Sequence, residues 1–257
     1  MRLQILSDFH LEFYQKGFPL IKPCAKYLFL AGDIGNLSSL ISSQNLKNFF
    51  DHVSQNWKKC FYVTGNHEYY HPQKNKDQLD LEYQTLTQSY PNIHFLNFEK
   101  EPLILEDEKV EILGCTLWSK PQITDRFNDF RSIRNYDPIT QTNQPIKLTN
   151  MFEWNAVDST YLKEHLNKKT KYKRIVMTHF LPLTNLEIPN SKYGYNPCDA
   201  SYFGNQFHDL VPLADLWISG HTHEIFKTMI GSTLWVGNPY GYPRENKIKN
   251  DGMVFEI

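Results

Sequence analysis

Short runs of Leu, Ile, Val, Phe and Tyr recur along the chain, and each stops abruptly at a polar cluster. Residues 3–6 end at Ser7 and Asp8, residues 27–30 give way to Gly32 and Asp33, and residues 60–63 give way to Gly65, Asn66 and His67. The pattern returns at 174–177, just before His179, and at 216–218, just before Gly220, His221, Thr222 and His223. Apolar runs of this length, closed by glycine and polar residues, read as buried strands whose ends carry functional loops. Between them, residues 37–57 and 151–167 bring apolar side chains back at three- and four-residue spacing and predict amphipathic helices. Further strands are predicted at 94–98, 110–117, 233–236 and 253–257. Strands alternating with helices imply sheets covered by helices, and there are enough strands for two stacked sheets, so a four-layer α/β sandwich is expected.

Two stretches escape this rhythm, 119–150 and 183–210, the second scattered with Pro, Asn, Tyr and Gly. Long irregular connections usually form rims or lids over a site. A chain of 257 residues suits one domain built on large sheets, so residues 1–257 are read as a single domain carrying these two rim segments. Composition changes the picture little, with 40% hydrophobic and 21% charged residues, as in ordinary folded proteins. A net charge of −1 supplies no basic field for nucleic acid and argues against such a partner. The apolar run at 1–7 is too short for an export signal, and no apolar stretch approaches the roughly 18 residues of a membrane span. A cytoplasmic location without a membrane partner is therefore expected. Cys24, Cys60, Cys115 and Cys198 are scattered without a CxxC pair, which argues against a thiolate zinc site and against a disulfide framework.

The strand ends hold the chemistry. Asp8 and His10 in DFH, Asp33 in GDIGN, Asn66 and His67 in GNHE, His179 in THF, and His221 and His223 in GHTH all offer oxygen or imidazole donors. Such a set suits borderline divalent or trivalent first-row ions, Mn, Fe or Zn foremost. Spacing i, i+2 on an extended tip would point Asp8 and His10 to one side, and His221 and His223 likewise. Asp33 stands alone between the groups and is the natural carboxylate bridge between two ions. Gly32, Gly65 and Gly220 are expected to permit the turns that gather the tips. An isolated His is more often structural than ligating, so His52, His71, His94, His165 and His208 are left outside the site.

These blocks resemble those of the calcineurin-like metallophosphoesterases, whose ordered signature is DxH, GDxx, GNH[DE], a lone His and GHxH. All five occur here in order, from Asp8 to His223. The resemblance implies an αββα sandwich with two metals at the carboxyl ends of the strands. It also implies that Asp8, His10 and His223 bind one metal, that Asn66, His179 and His221 bind the other, and that Asp33 bridges them. His67 matches the family's catalytic histidine. The implied activity is hydrolysis of a phosphate mono- or diester, with a small-molecule or nucleotide ester as substrate: hydroxide shared by the metals attacks in line while His67 assists the leaving group.

GNHE is typical of the eukaryotic phosphoprotein phosphatases, but Leu11 follows DFH where that subgroup has Gly, and the second block lacks its phosphate-gripping Arg. Asn36 stands where the subgroup has an Asp that pairs with the catalytic His, so no carboxylate is expected to support His67 from that position. Arg126, Arg131 and Arg134 lie in the first irregular stretch, and Arg131 is the first choice for gripping substrate phosphate over the metals. Ordinary surface charge is the plainer reading of any single Arg. Tyr69, Tyr70, Tyr193, Tyr195 and Tyr240 fall near the expected site loops. The rival functions are a metal-binding scaffold acting through protein interaction, which has no chemical need to retain His67 with all seven ligands, and a nuclease, which lacks the basic surface for duplex DNA.

Overall fold

The computed structural model describes residues 1–124, 126–192, 197–245 and 252–257. Two mixed sheets lie at its centre. The first has the order β13 (Met253–Glu256), β1 (Arg2–Leu6), β2 (Tyr27–Ala31), β3 (Lys59–Val63) and β4 (Ile93–Phe95). Strands β1 to β4 run parallel and β13 closes the edge antiparallel. The second sheet has the order β11 (Phe226–Ile230), β12 (Thr233–Gly237), β10 (Leu216–Ser219), β9 (Lys173–Thr178), β6 (Val110–Cys115) and β5 (Leu103–Leu105). Its four central strands are parallel and its two edge strands antiparallel. Parallel pairing puts the carboxyl ends of β1, β2 and β3 on one rim, and those of β9 and β10 likewise, which is where open α/β sheets place their sites.

Side-chain alternation sorts the core into layers. Leu3, Ile5, Phe29, Ala31, Phe61 and Val63 of the first sheet meet Ile112, Ile175, Met177, Ile218 and Val236 of the second in one buried cluster between the sheets. The intervening residues Leu28, Leu30, Cys60 and Tyr62 face outward onto Leu46, Phe49, Phe50 and Val53 of α1 (Leu40–Asn56) and Leu79 and Tyr83 of α2 (Lys76–Gln88). On the far side Val176 and Trp217 pack with Leu162 and Leu166 of α4 (Leu148–Leu166). The four-layer sandwich is therefore present. Among the described residues no helix is long and apolar enough to cross a membrane.

Several elements differ from the expectation. Helix α1 starts at Leu40 because Ser39 accepts a hydrogen bond from the N–H of Ser42 and caps it. Helix α2 has no counterpart in the predicted elements: its sequence is mostly polar, and it is opened by a capping box between Asn75 and Gln78. The strand expected at 94–98 ends at Phe95 and turns into a short 3-10 segment. The stretch 119–150 is not irregular throughout: it holds α3 (Asp129–Ser132) and a polar hairpin of β7 (Arg134–Asp137) and β8 (Thr142–Pro145). Within 183–210 lies α5 (Pro197–Phe203).

Met177 is fully buried between the sheets. Met177→Ala is expected to lower stability by about 2–5 kcal/mol, read by urea unfolding, because the two sheets cannot close over the cavity it leaves.

Candidate metal centre

The strand ends do not present their ligands from extended backbone. Asp8, His10, Asp33, His221 and His223 have φ of 52°, 53°, 53°, 72° and 52°, all in the left-handed region. The i, i+2 pairs converge because both members turn out of the strand, not because a strand alternates. Left-handed backbone costs a non-glycine residue roughly 1–2 kcal/mol, and it persists where the surroundings over-determine it. Here adjacent tips are stitched by backbone hydrogen bonds: Asp8 N–H to Gly32 O at 2.9 Å, His10 N–H to Asp33 O at 2.9 Å, and Gly220 N–H to His179 O at 3.0 Å. The carboxylate of Asp8 also accepts from the N–H of His221 at 3.0 Å.

Gly65 is required by close approach rather than by a positive φ. A Cβ there would stand 2.2 Å from Asp33 Oδ1 and 2.6 Å from His179 Nε2. Gly32 answers both demands, with φ of +83° and a Cβ position 2.4 Å from His179 Nδ1.

All seven ligands expected from the sequence meet in one place. Asp8, His10 and His223 form one group of donors and Asp33, His179 and His221 another, with donor atoms within 4.8 Å of one another in each. His10 and Asp33 also group with His67. Asn66 joins the second group through Oδ1, 3.0 Å from His179 Nε2. Asp33 Oδ2 lies 3.9 Å from His10 Nε2 and 3.4 Å from His179 Nε2, between the two groups.

The orientation of these groups tests whether they fit cations. His10 Nδ1 is 3.1 Å from Glu12, His223 Nδ1 is 2.5 Å from Glu245, and His179 Nδ1 is 2.9 Å from the carbonyl of Ala31. Each partner is an acceptor, so each Nδ1 carries a hydrogen, and each ring in its neutral form turns its Nε2 lone pair inward. Yet His10 Nε2 faces His223 Nε2 at 3.0 Å. Asn66 Nδ2 donates to Asp129 at 2.8 Å, so Asn66 Oδ1 faces His179 Nε2 as another acceptor. Acceptor facing acceptor at this distance is repulsive unless a cation or proton stands between them. Bonds of about 2.0–2.1 Å to one ion would bring two donors to about 3 Å apart at a near-right angle, so the spacing suits a metal. His221 Nε2 is buried with no hydrogen-bond partner among the described residues, as a ligand atom awaiting an ion would be.

The charges agree. Burial works against a charge on His179, but Asp33 outweighs it and holds the imidazole up, at about 9, so that a proton occupies the place a cation would take. Burial likewise opposes a charge on His67, and Asp33 and Glu12 overcome it to hold this ring at about 9. Glu12 remains ionised, held down at about 2 against burial by its bonds to His10 and His67.

A carboxylate does reach His67, from a position other than 36. Asn36 brings no carboxylate to His67, as its side chain accepts from Ser38 and Ser42 instead. The support comes from Glu12 Oε1, 2.9 Å from His67 Nδ1. Two further carboxylates escaped the motif reading. Glu68, the last residue of GNHE, accepts from the backbone N–H of Asp33, Ile34 and Gly65 at 2.9, 2.8 and 2.7 Å and from the hydroxyl of Tyr62 at 2.9 Å. Asp129, fully buried in the rim, accepts from Asn66, Tyr70 and Tyr202. Its lone signal in the sequence is a carboxylate inside a segment otherwise read as a rim.

Over the donors lies a cavity of about 200 Å³, walled by Tyr70, Tyr202, Tyr242, Phe127 and Arg126. Tyr70 stacks on His67 with ring centres 4.2 Å apart, and the Tyr242 hydroxyl is 3.5 Å from His67 Nε2. Tyr69 is buried on Asp80, and Tyr240 packs on Phe9 in the core. Tyr193 and Tyr195 lie outside the described residues. Of the three arginines, Arg126 lines this cavity, whereas Arg131 and Arg134 line a neighbouring one that shares Tyr70 as a wall. Of the other histidines, His52 bonds to the carbonyl of Ile21, His94 is 3.0 Å from Lys59, and His71 lines the neighbouring cavity.

Fold and donor set together define a metal-dependent phosphoester hydrolase. Residues 1–224 match the calcineurin-like phosphoesterases, and the chain belongs to that family. It is 32% identical over 246 residues to Uncharacterized protein L509 of Acanthamoeba polyphaga mimivirus, covering 90% of this chain and 84% of that protein. In fold it is similar to the phosphopantetheinyl hydrolase PptH of Mycobacterium tuberculosis, at 14% identity and a TM-score of 0.70, covering 95% of this chain and 90% of that one.

Among the described residues Glu68 belongs to none of the donor groups, yet it binds the tips of β2 and β3 together. Glu68→Gln would turn an amide N–H₂ toward buried donors, at a cost of about 1–3 kcal/mol for each one left unpaired. The expected result is a lower melting temperature together with lower metal content on elemental analysis. Unchanged metal content would show that the tips do not depend on it.

Proposed function

We propose that this chain hydrolyses a phosphate mono- or diester with two cations side by side, Asp8, His10 and His223 holding one, Asn66, His179 and His221 the other, and Asp33 shared. The observation that carries this reading is the position of Asp33 Oδ2 between the two groups of inward-facing donors. Bound first-row cations supply charge neutralisation at the phosphoryl oxygens and activate water as a nucleophile near neutral pH.

The side chains around them do the remaining work. Asp33 Oδ1 accepts from the backbone N–H of His67 at 2.8 Å, which fixes the carboxylate and leaves Oδ2 turned to the donors. His67 is tied by Nδ1 to Glu12, so its Nε2 faces the cavity and can donate a proton to the departing oxygen. Glu12 stabilises the positive charge this requires. The rings of Tyr70, Tyr202 and Tyr242 narrow the cavity and restrict water around the reacting ester.

His67→Ala is expected to retain its metal and lose turnover by about 10²–10⁴-fold, the usual worth of a positioned acid. Asp33→Ala is expected to lose metal outright. Equal metal loss in the two variants would contradict these separate roles. Purified protein supplied with Mn should hydrolyse a chromogenic phosphate mono- or diester, and full metal loading with no turnover on either would overturn the assignment as an enzyme.

A further inference from the structure

Beside the donor cavity, with the Tyr70 ring as the common wall, lies a second cavity of about 330 Å³ lined by Asn36, Ser38, His71, Arg131, Ser132 and Arg134. Among the described residues that line it there is no carboxylate. Its donors come from Arg131, Arg134 and His71. Arg131 and Arg134 carry permanent charges in a planar fork suited to phosphate. Arg134 uses Nε on the carbonyl of Pro72 at 2.7 Å, which holds the guanidinium at the cavity wall. His71 Nδ1 accepts the N–H groups of Gln73 and Lys74 at 3.1 and 2.9 Å, so its neutral ring carries the hydrogen on Nε2. Asn36 Oδ1 accepts from the N–H and hydroxyl of Ser38 and from the hydroxyl of Ser42, which leaves the amide N–H₂ as its remaining polar end.

Guanidinium and imidazole donors, with no carboxylate among the described lining residues, are the chemistry of an anion site, and a guanidinium pair matches the oxygens of a phosphate in a fork. The chain connects this cavity to the donor centre directly. Residues 126–128 line one cavity and residues 131, 132 and 134 the other, and Tyr70 touches both. We infer that this cavity receives a second phosphate group of the substrate, so that the preferred ester is a small molecule bearing two phosphates, one presented to the donor centre and the other to Arg131 and Arg134. The inference rests on the hydrolytic reading above for the first phosphate only. Arg131 then acts away from the reacting group, as a specificity residue, and not over the metals as its place in the sequence suggested.

The test compares linear diol bisphosphates of increasing chain length with the matching alkyl monophosphates on the Mn-loaded protein. At the length that spans Tyr70, kcat/KM for the bisphosphate should exceed that for the monophosphate by about tenfold or more, the worth of one charge-assisted hydrogen bond. Arg131→Gln should bring that ratio close to one, and Arg131→Lys should restore part of it. A ratio near one at every length, or one that Arg131→Gln leaves untouched, overturns the inference. If no ester is hydrolysed, the hydrolytic reading fails and the cavity is judged separately, by calorimetric titration of inorganic phosphate into chelator-treated protein. Binding that Arg131→Gln weakens by about tenfold or more supports the anion site, and absent or unchanged binding removes it.

Discussion

Two pairs of hydrogen-bond acceptors face each other at the centre of this protein, His10 Nε2 against His223 Nε2 and His179 Nε2 against Asn66 Oδ1, each at 3.0 Å. Their orientation is imposed from behind. Glu12, Glu245, the carbonyl of Ala31 and Asp129 each take up the donor on the far side of a ring or amide, so none of the four can turn away without abandoning a hydrogen bond. The fold thus turns lone pairs toward one another in a buried place, where a proton or a cation has to stand between them. Preorganisation of this kind keeps a cation site in shape before the cation arrives.

The rest of the architecture serves that confrontation. Parallel pairing gathers strand ends on one rim of each sheet, and the core between the sheets fixes the rims against each other. Five donor residues then leave their strands through left-handed backbone, which neighbouring tips hold by main-chain hydrogen bonds. Glu68 is the clasp between β2 and β3, accepting three backbone N–H groups from the two tips. Strain in the backbone and repulsion among the donors are both offset by the packed sandwich beneath and by whatever charge the centre takes up.

The donors were legible in the sequence because each sits where an apolar run breaks at glycine and polar residues, a local pattern that survives without any knowledge of the fold. The two sheets were legible for the same reason. What the sequence hid was polar. Helix α2 buries a few residues, Leu79, Asp80, Tyr83 and Thr87, among charged and amide side chains, so its period is faint. The β7 and β8 hairpin has no buried residue and no apolar face to announce it. Glu12 reaches His67, Asp129 reaches Asn66 and Glu245 reaches His223 across 55, 63 and 22 residues, and no spacing rule marks such pairs. Left-handed backbone at Asp8 and His10 was equally invisible, since the sequence there reads as the continuation of a strand. The i, i+2 argument reached the right ligands through the wrong backbone conformation.

The claim that two cations share Asp33 is tested most directly by anomalous diffraction from crystals grown with Mn. The account predicts two peaks, one among Asp8, His10 and His223 and one among Asn66, His179 and His221, with the Asp33 carboxylate between them. A single peak, or two that leave Asp33 uncoordinated, would contradict it.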